Sequence, residues 1–134
     1  MSIPAGLANP MCQILKPSGK AQVKVYENTT GADVAQGDFI VLDDLFCGVV
    51  DLDSEDGSDV SVSVTEGMNI LTSATAAAST FDTQGDEVFW DEDNQEFTDV
   101  SASGLFRVGA LITPKTSGGQ IMFEKFRYVA EVVA

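Results

Sequence analysis

Alternation of apolar and polar positions, rather than any helical period, runs through most of this chain. Val60-Ser-Val-Ser-Val-Thr65 alternates without a fault, which predicts a half-buried strand with a hydroxyl face. Ala21–Glu27 alternates too, with Val23 and Val25 on one face and Lys24 and Tyr26 on the other. Gly37-Asp38 opens the apolar run Phe39–Leu42, Asp43-Asp44 allows a tight reversal, and Leu45–Val50 returns beside it. A polar loop, Asp51–Asp59, precedes the Val60 strand; Glu66-Gly67 ends that strand and Met68–Leu71 resumes. Gly85-Asp86 then starts Glu87–Trp90, Asp91-Glu-Asp-Asn94 supplies turn residues, and Gln95–Thr98 answers as a hairpin partner. Leu105–Thr113 reads as a long strand with Gly109 at a bulge. Thr116–Gly119 turns it into Gln120–Phe126, and Tyr128–Val133 adds a last strand or a tail. Ser73–Thr80 alone has helical propensity, over about two turns, too short to stand without packing. Eight to ten short strands with at most one short helix predict an all-β fold, a small barrel or sandwich.

The beginning of the chain breaks this pattern. Pro4, Pro10 and Pro17 interrupt residues 1–20 and forbid a continuous helix or a central strand. Ile3, Leu7, Met11, Ile14 and Leu15 nevertheless keep the segment apolar. It reads as an extended N-terminal arm that docks on something, followed by one β domain over residues 21–134. The start lacks the basic and long apolar regions of a signal peptide, and no apolar run is long enough to span a bilayer.

A faint internal echo is present. Gly37-Asp38-Phe-Ile-Val-Leu-Asp43 resembles Gly85-Asp86-Glu-Val-Phe-Trp-Asp91. Each is followed by a Leu-Phe strand with an internal glycine, Gly48 in one case and Gly109 in the other. The spacing differs between the two, so the echo reads as a reused strand-turn device rather than a solenoid.

Charge sharpens the picture. The 134 residues carry 21 Asp plus Glu against 7 Lys plus Arg, a net −14. Residues 31–104 hold 18 of the acids and no Lys or Arg, whereas each end is net basic. Such a field disfavours ordinary nucleic-acid and membrane-surface binding. Histidine is absent altogether, which removes the commonest general base and metal ligand. Most enzyme classes are poor fits, and no cofactor is called for.

The candidate sites have plainer explanations. Asp51-Leu-Asp53-Ser-Glu55-Asp56-Gly57-Ser-Asp59 offers carboxylates at alternate positions, as Ca²⁺ requires. Yet Asp56 stands where an EF-hand needs glycine and Val62 where it needs glutamate, so a solvated turn is the better reading. Carboxylate pairs carry little information among 21 acids, and Trp90 fits a core anchor better than a sugar platform. Cys12 and Cys47 lack CxxC spacing; Cys47 lies in an apolar strand and reads as a small buried hydrophobe. Gly118-Gly119 lacks the lysine and hydroxyl of a phosphate loop. No catalytic or metal residue is assigned.

The ordered set of pieces resembles the tailed-phage capsid decoration, or cement, proteins. The residues that carry it are Gly37-Asp38 with its strand, the return Leu45-Phe-Cys-Gly-Val-Val50, and the Ala-rich stretch before Gly85-Asp86-Glu-Val-Phe-Trp90-Asp91. The turn to Phe97-Thr98 and the closing Gly104-Leu-Phe-Arg-Val-Gly109 complete the set, over roughly residues 30–126. The long loop Asp51–Asp59 and the proline-broken start depart from the family pattern.

The resemblance implies a structural protein on the outer surface of an icosahedral head, made in the bacterial host cytoplasm. It implies that the partners are the major capsid protein, bridged between neighbouring subunits, and further copies of the chain in a homotrimer or a dimer. No nucleic-acid or membrane partner is expected. The apolar arm residues Ile3, Leu7 and Met11 are candidate contacts, as are Lys16, Lys20, Lys24, Arg107, Lys125 and Arg127 toward an acidic capsid surface. Two other classes stay open from the residues themselves. A DNA mimic would use the acidic middle to occupy a basic groove, and a carbohydrate-binding β-module would need more aromatics than one Trp and two Tyr.

Overall fold

The computed structural model describes residues 11–16, 23–42, 46–64, 67–125 and 131–134. Eleven strands are present among them: β1 Cys12–Lys16, β2 Val23–Glu27, β3 Phe39–Leu42, β4 Phe46–Val50, β5 Asp59–Ser63 and β6 Met68–Thr72, then β7 Glu87–Asp91, β8 Glu96–Thr98, β9 Phe106–Thr113, β10 Ile121–Lys125 and β11 Glu131–Val132. They form two antiparallel sheets. One has the order β1-β6-β10-β9-β7-β8 with β11 beside β9, and the other the order β2-β5-β4-β3. The expected all-β class is what the chain adopts.

The main core lies between the sheets. The smaller sheet contributes Phe39, Val41, Cys47 and Val49, and the larger one Ile70, Val88, Trp90, Phe97, Leu111 and Phe123 among others. Phe97 is the hub of its aromatic centre, with ring centroids 4.7 Å from Trp90, 4.9 Å from Phe123 and 5.1 Å from Phe39. Tilted and edge-on pairs at these distances add to the gain from burial alone. A second cluster, Ile40, Leu42, Val50, Val60, Val62 and Val64, covers the opposite face of the smaller sheet. Strand β3 is therefore buried on both faces, which is why Phe39–Leu42 is an unbroken apolar run.

The internal echo is a structural repeat. In both copies the glycine of the Gly-Asp pair has positive φ, 92° at Gly37 and 94° at Gly85, where an L side chain is disfavoured. Gly37 N–H donates to Val50 C=O and Val50 N–H to Asp38 C=O; Gly85 N–H donates to Leu111 C=O and Leu111 N–H to Asp86 C=O, each at 2.8 Å. Ile40 pairs with Gly48 as Val88 pairs with Gly109, and Val49 pairs with Ser63 as Ala110 pairs with Glu124. The unit β3-β4-β5 thus recurs as β7-β9-β10. Gly109 also lies at the irregularity expected there, since the register of β7 with β9 shifts between Val88 and Phe89.

Two expectations change. Ser73–Thr80 contains no helix; its backbone instead pairs with β8, Phe97 N–H donating to Ala74 C=O and Ala76 N–H to Phe97 C=O. Two turns of alanine gain less from helical bonds than from lying along a strand that already carries the aromatic centre. Part of the expected arm is also integrated. Cys12–Lys16 is a strand at the edge of the larger sheet, in register with Met68–Thr72 apart from one irregularity between Ile14 and Lys16. An edge position needs hydrogen bonds on one side only, which agrees with the flanking prolines. Residues 1–10 of the arm lie outside the described residues, as do the reversal at Asp43-Asp44 and Tyr128 in the expected last strand.

Candidate interaction surface

The two cysteines, both in the main core, offer no reactive group. Cys12 is 2% and Cys47 1% exposed. Burial pushes the Cys12 thiol up to about 12 and the Cys47 thiol up to about 11, the latter despite the nearby Lys125 charge. Thiols held in that state are poor nucleophiles at neutral pH.

The acidic loops are knitted together by their own carboxylates. Asp38 Oδ2 accepts from Ala35 N–H, Asp53 Oδ1 from Gln36 N–H, and Asp33 Oδ1 from Asp56 N–H, at 2.8–2.9 Å. Val34 and Ser54 exchange backbone hydrogen bonds between the two loops, and Asn28 Nδ2 donates to the carbonyls of Ala32 and Glu55. These contacts leave an open cavity of about 490 Å³ lined by Asp33, Asp38, Asp53 and Glu55 with Val34, Ala35 and Ser54. Among the described residues no three His, Cys, Asp or Glu side chains are grouped to hold a metal ion. The loop Asp51–Asp59 is thus a cross-braced turn.

The sequence-derived contact residues are scattered by the fold. Ile3, Leu7, Lys20 and Arg127 lie outside the described residues, and of Lys16 only the backbone, in β1, is described. Met11 packs against the main core, and its Sδ accepts from Phe39 N–H at 3.4 Å. It is committed to its own domain rather than to an outlying arm. Arg107 is engaged within the chain, 3.2 Å from Glu87 and 3.4 Å from Glu131, with its guanidinium 5.8 Å from the centroid of Phe89. Lys125, expected at the surface, is fully buried, and its Nζ donates to Val64 C=O at 3.2 Å. The alternation Ile121, Phe123, Lys125 puts all three on the buried row of β10. Lys24 is exposed, on β2.

Strand β2 ends the smaller sheet on one side. It pairs with β5 alone among the described residues, with Lys24 opposite Val62 and Tyr26 opposite Val60. Tyr26 packs on the second cluster, and the alternate residues Val23 and Val25 lie on the other face, in the row of Ser63 and Val49, yet 49% and 64% exposed at the sheet's margin. The sequence shows the alternation but not that its aliphatic row is the exposed one. Among the described residues, the other exposed large apolar side chains, Leu52, Val100 and Val132, belong to separate parts of the fold. An edge strand with an exposed aliphatic row is a template for pairing with another chain. The charge changes along it, since residues 1–26 contain no Asp or Glu, whereas Glu27 stands opposite Asp59 at the margin of the acidic loops.

No curated protein and no solved structure matches the chain. Residues 18–126, from just before β2 to just past β10, match the family described as phage cement protein. That span holds both copies of the repeated three-stranded unit and the whole aromatic centre, and the chain belongs to the phage cement protein family.

Proposed function

We propose that this protein decorates the outer surface of a tailed-phage head and stabilises it by bridging neighbouring major capsid subunits. The family match over residues 18–126 carries the reading, since membership implies a structural role on the phage capsid. The shape of the molecule supports the finer statement. A rigid two-sheet body with buried thiols and self-braced acidic loops is suited to holding position rather than to chemistry. Its role is structural, and the protein works as a homotrimer assembled on capsids after synthesis in the host cytoplasm. Repeating modest contacts over a lattice yields strong retention through multivalency.

The test is made on purified particles of the phage that encodes the chain. A denaturing gel showing the 14.2 kDa band near-stoichiometric with the major capsid protein is the expected result. A reconstruction of the same particles should show each copy touching at least two capsid subunits. Absence from intact particles overturns decoration, and contact with a single subunit overturns bridging.

A further inference from the structure

Strand β2 is the counterpart of a strand that carries a further neighbour. Ser63 and Glu124 hold equivalent places in the repeated unit; Ser63 pairs with Val23 of β2, and Glu124 with Asn69 of β6. Val23 and Val25 thus correspond to Asn69 and Leu71. On β6 those two residues are opposed on the far side by Lys16 and Gln13 of β1, an antiparallel strand. On β2 the same side has no strand among the described residues. Its backbone is set for one. Asn28 N–H donates to Ser58 C=O in the register of β2 with β5, and Asp51 N–H to Ser61 C=O in that of β4 with β5. Alternation then turns the backbone groups of Lys24 and Tyr26 toward β5, and those of Val23, Val25 and Glu27 away from it. Val23 and Val25 also carry exposed side chains, 49% and 64%.

Residues 1–10 have the sequence for that place. Pro4 and Pro10 are both even-numbered, whereas Ile3, Ala5 and Leu7 are odd-numbered. In an added antiparallel strand whose odd residues bond β2, both prolines turn their missing N–H outward, where an edge strand tolerates it. Residues directly opposed share a face, so Ile3, Ala5 and Leu7 join the row of Val23 and Val25 and bury apolar area there. The tether selects whose β2 is filled. Met11 Sδ accepts from Phe39 N–H and Cys12 N–H donates to Gly37 C=O, which fixes the end of the segment at β3. Strands β3 and β2 are opposite edges of the smaller sheet, three strand spacings or about 14 Å apart. Leu7 is four residues from Met11, at most about 14 Å of chain, so a crossing to its own β2 leaves no slack. The β2 of a second copy placed beside β3 needs no crossing. An edge that gives and an opposite edge that receives make a head-to-tail contact, the kind that closes a ring of three.

We infer that residues 1–10 of one copy add as a fifth strand to β2 of the next, so that three exchanged strands hold the trimer on the capsid. The inference rests on the capsid-bound homotrimer proposed above and names the contact between its copies. It is tested on purified capsids that lack the protein. Full-length chain carrying Val25→p-benzoylphenylalanine is bound there together with heavy-isotope-labelled wild type. Irradiation should join the Val25 site to residues 1–10 of heavy copies, read by mass spectrometry. In parallel, Val25→Pro removes an outward N–H and leaves the bonds to β5 in place. That variant and removal of residues 1–10 should each weaken capsid binding about tenfold or more, and the two together should weaken it no further. Leu52→Thr, an exposed apolar control, should bind as wild type. The cross-link needs no proline, so it decides the matter even where Val25→Pro fails to fold.

Wild type that does not bind capsids overturns the capsid reading together with this contact. With wild type bound, cross-links confined to the capsid protein, to residues 1–10 of the same copy, or to nothing overturn the exchange alone. Truncated protein or folded Val25→Pro that binds as wild type overturns it too. So do losses from the two changes that add, since they would then come from separate contacts.

Discussion

Gly48 and Gly109 occupy the same place in two copies of one three-stranded unit, each at the point where a neighbouring strand's backbone comes closest. A Cβ on Gly48 would collide with Ser63 C=O, and a Cβ on Gly109 with Glu124 C=O. Gly48 to Gly109 and Ser63 to Glu124 are both 61 residues, so the second and third strands repeat in step. Gly37 to Gly85 is only 48, so the extra residues sit between the first and second strands of the second copy, where β8 is found. Both glycines are backbone-to-backbone contacts that no side-chain rotation relieves.

Gly48→Ala and Gly109→Ala should therefore each destabilise the fold by about 2–3 kcal/mol, the upper range for forced backbone shifts. Gly31→Ala is the comparison: it has open space around it, and its positive φ alone costs about 1 kcal/mol. Urea denaturation of the three variants checks the order. Equal losses at all three sites would refute the close-approach argument.

Lys125 makes the core partly polar. Its Nζ reaches Val64 C=O from a fully buried position, so truncation removes both packing and a donor. Lys125→Ala should cost about 3 kcal/mol in urea unfolding, whereas Lys125→Met, which keeps the volume, should cost less. An unperturbed Lys125→Ala variant would show that the ammonium is not held as described.

This lysine also shows how much was legible in the sequence. Strands framed by glycine-aspartate starts and turn residues, such as Phe39–Leu42 and Glu87–Asp91, follow from local chemistry and were readable almost to the residue. The same alternation marks Lys125 as inward beside Ile121 and Phe123, yet its charge argued for the surface. Strand β1 was hidden because its partner, Met68–Thr72, lies more than fifty residues away and its prolines speak only of what it cannot be. The exposed row of β2 was hidden for a related reason. Only the register against β5 sets Tyr26 against Val60 of the second cluster and leaves the valines at the exposed margin.

Phe81 is held in an unfavourable backbone conformation, with φ 41° in a fully buried residue. Asp99 Oδ2 secures it, accepting from Phe81 N–H at 2.8 Å and from Thr80 Oγ1 at 3.1 Å. Asp99→Ala should lower stability by about 1–2 kcal/mol through loss of a charge-assisted acceptor. Thermal unfolding measures it. The partly exposed Asp91, which caps the β7–β8 turn through Asn94, should give a smaller loss when changed to alanine.

Alkali should weaken the fold through the cysteines. Burial raises Cys12 from 9.0 to about 12 and Cys47 from 9.0 to about 11, so above pH 9 the unfolded chain loses protons that the folded chain retains. Stability from these thiols is fully present below pH 9 and falls as pH rises from there through 11 and 12. Melting temperatures measured from pH 8 to 11.5 should decline, and Cys12→Ala with Cys47→Ala should flatten the decline. A slope that survives the double substitution would assign it to other groups.

Truncation tests the N-terminal segment in two steps. Met11 lends its sulfur to Phe39 N–H and its carbonyl to Thr72 Oγ1, Cys12 N–H donates to Gly37 C=O, and β1 covers the edge of β6. Removing residues 1–15 takes all of this away, exposing a buried strand edge, and should unfold or strongly destabilise the protein. Removing residues 1–10 spares those contacts and should leave the melting temperature within about 2 °C, well under the 4–8 °C that 1 kcal/mol moves in a small domain. If Ile3 and Leu7 touch the capsid, the shorter truncation alone should weaken particle binding. Binding equal to that of the full chain would leave the contact to the folded body and remove the arm from the mechanism.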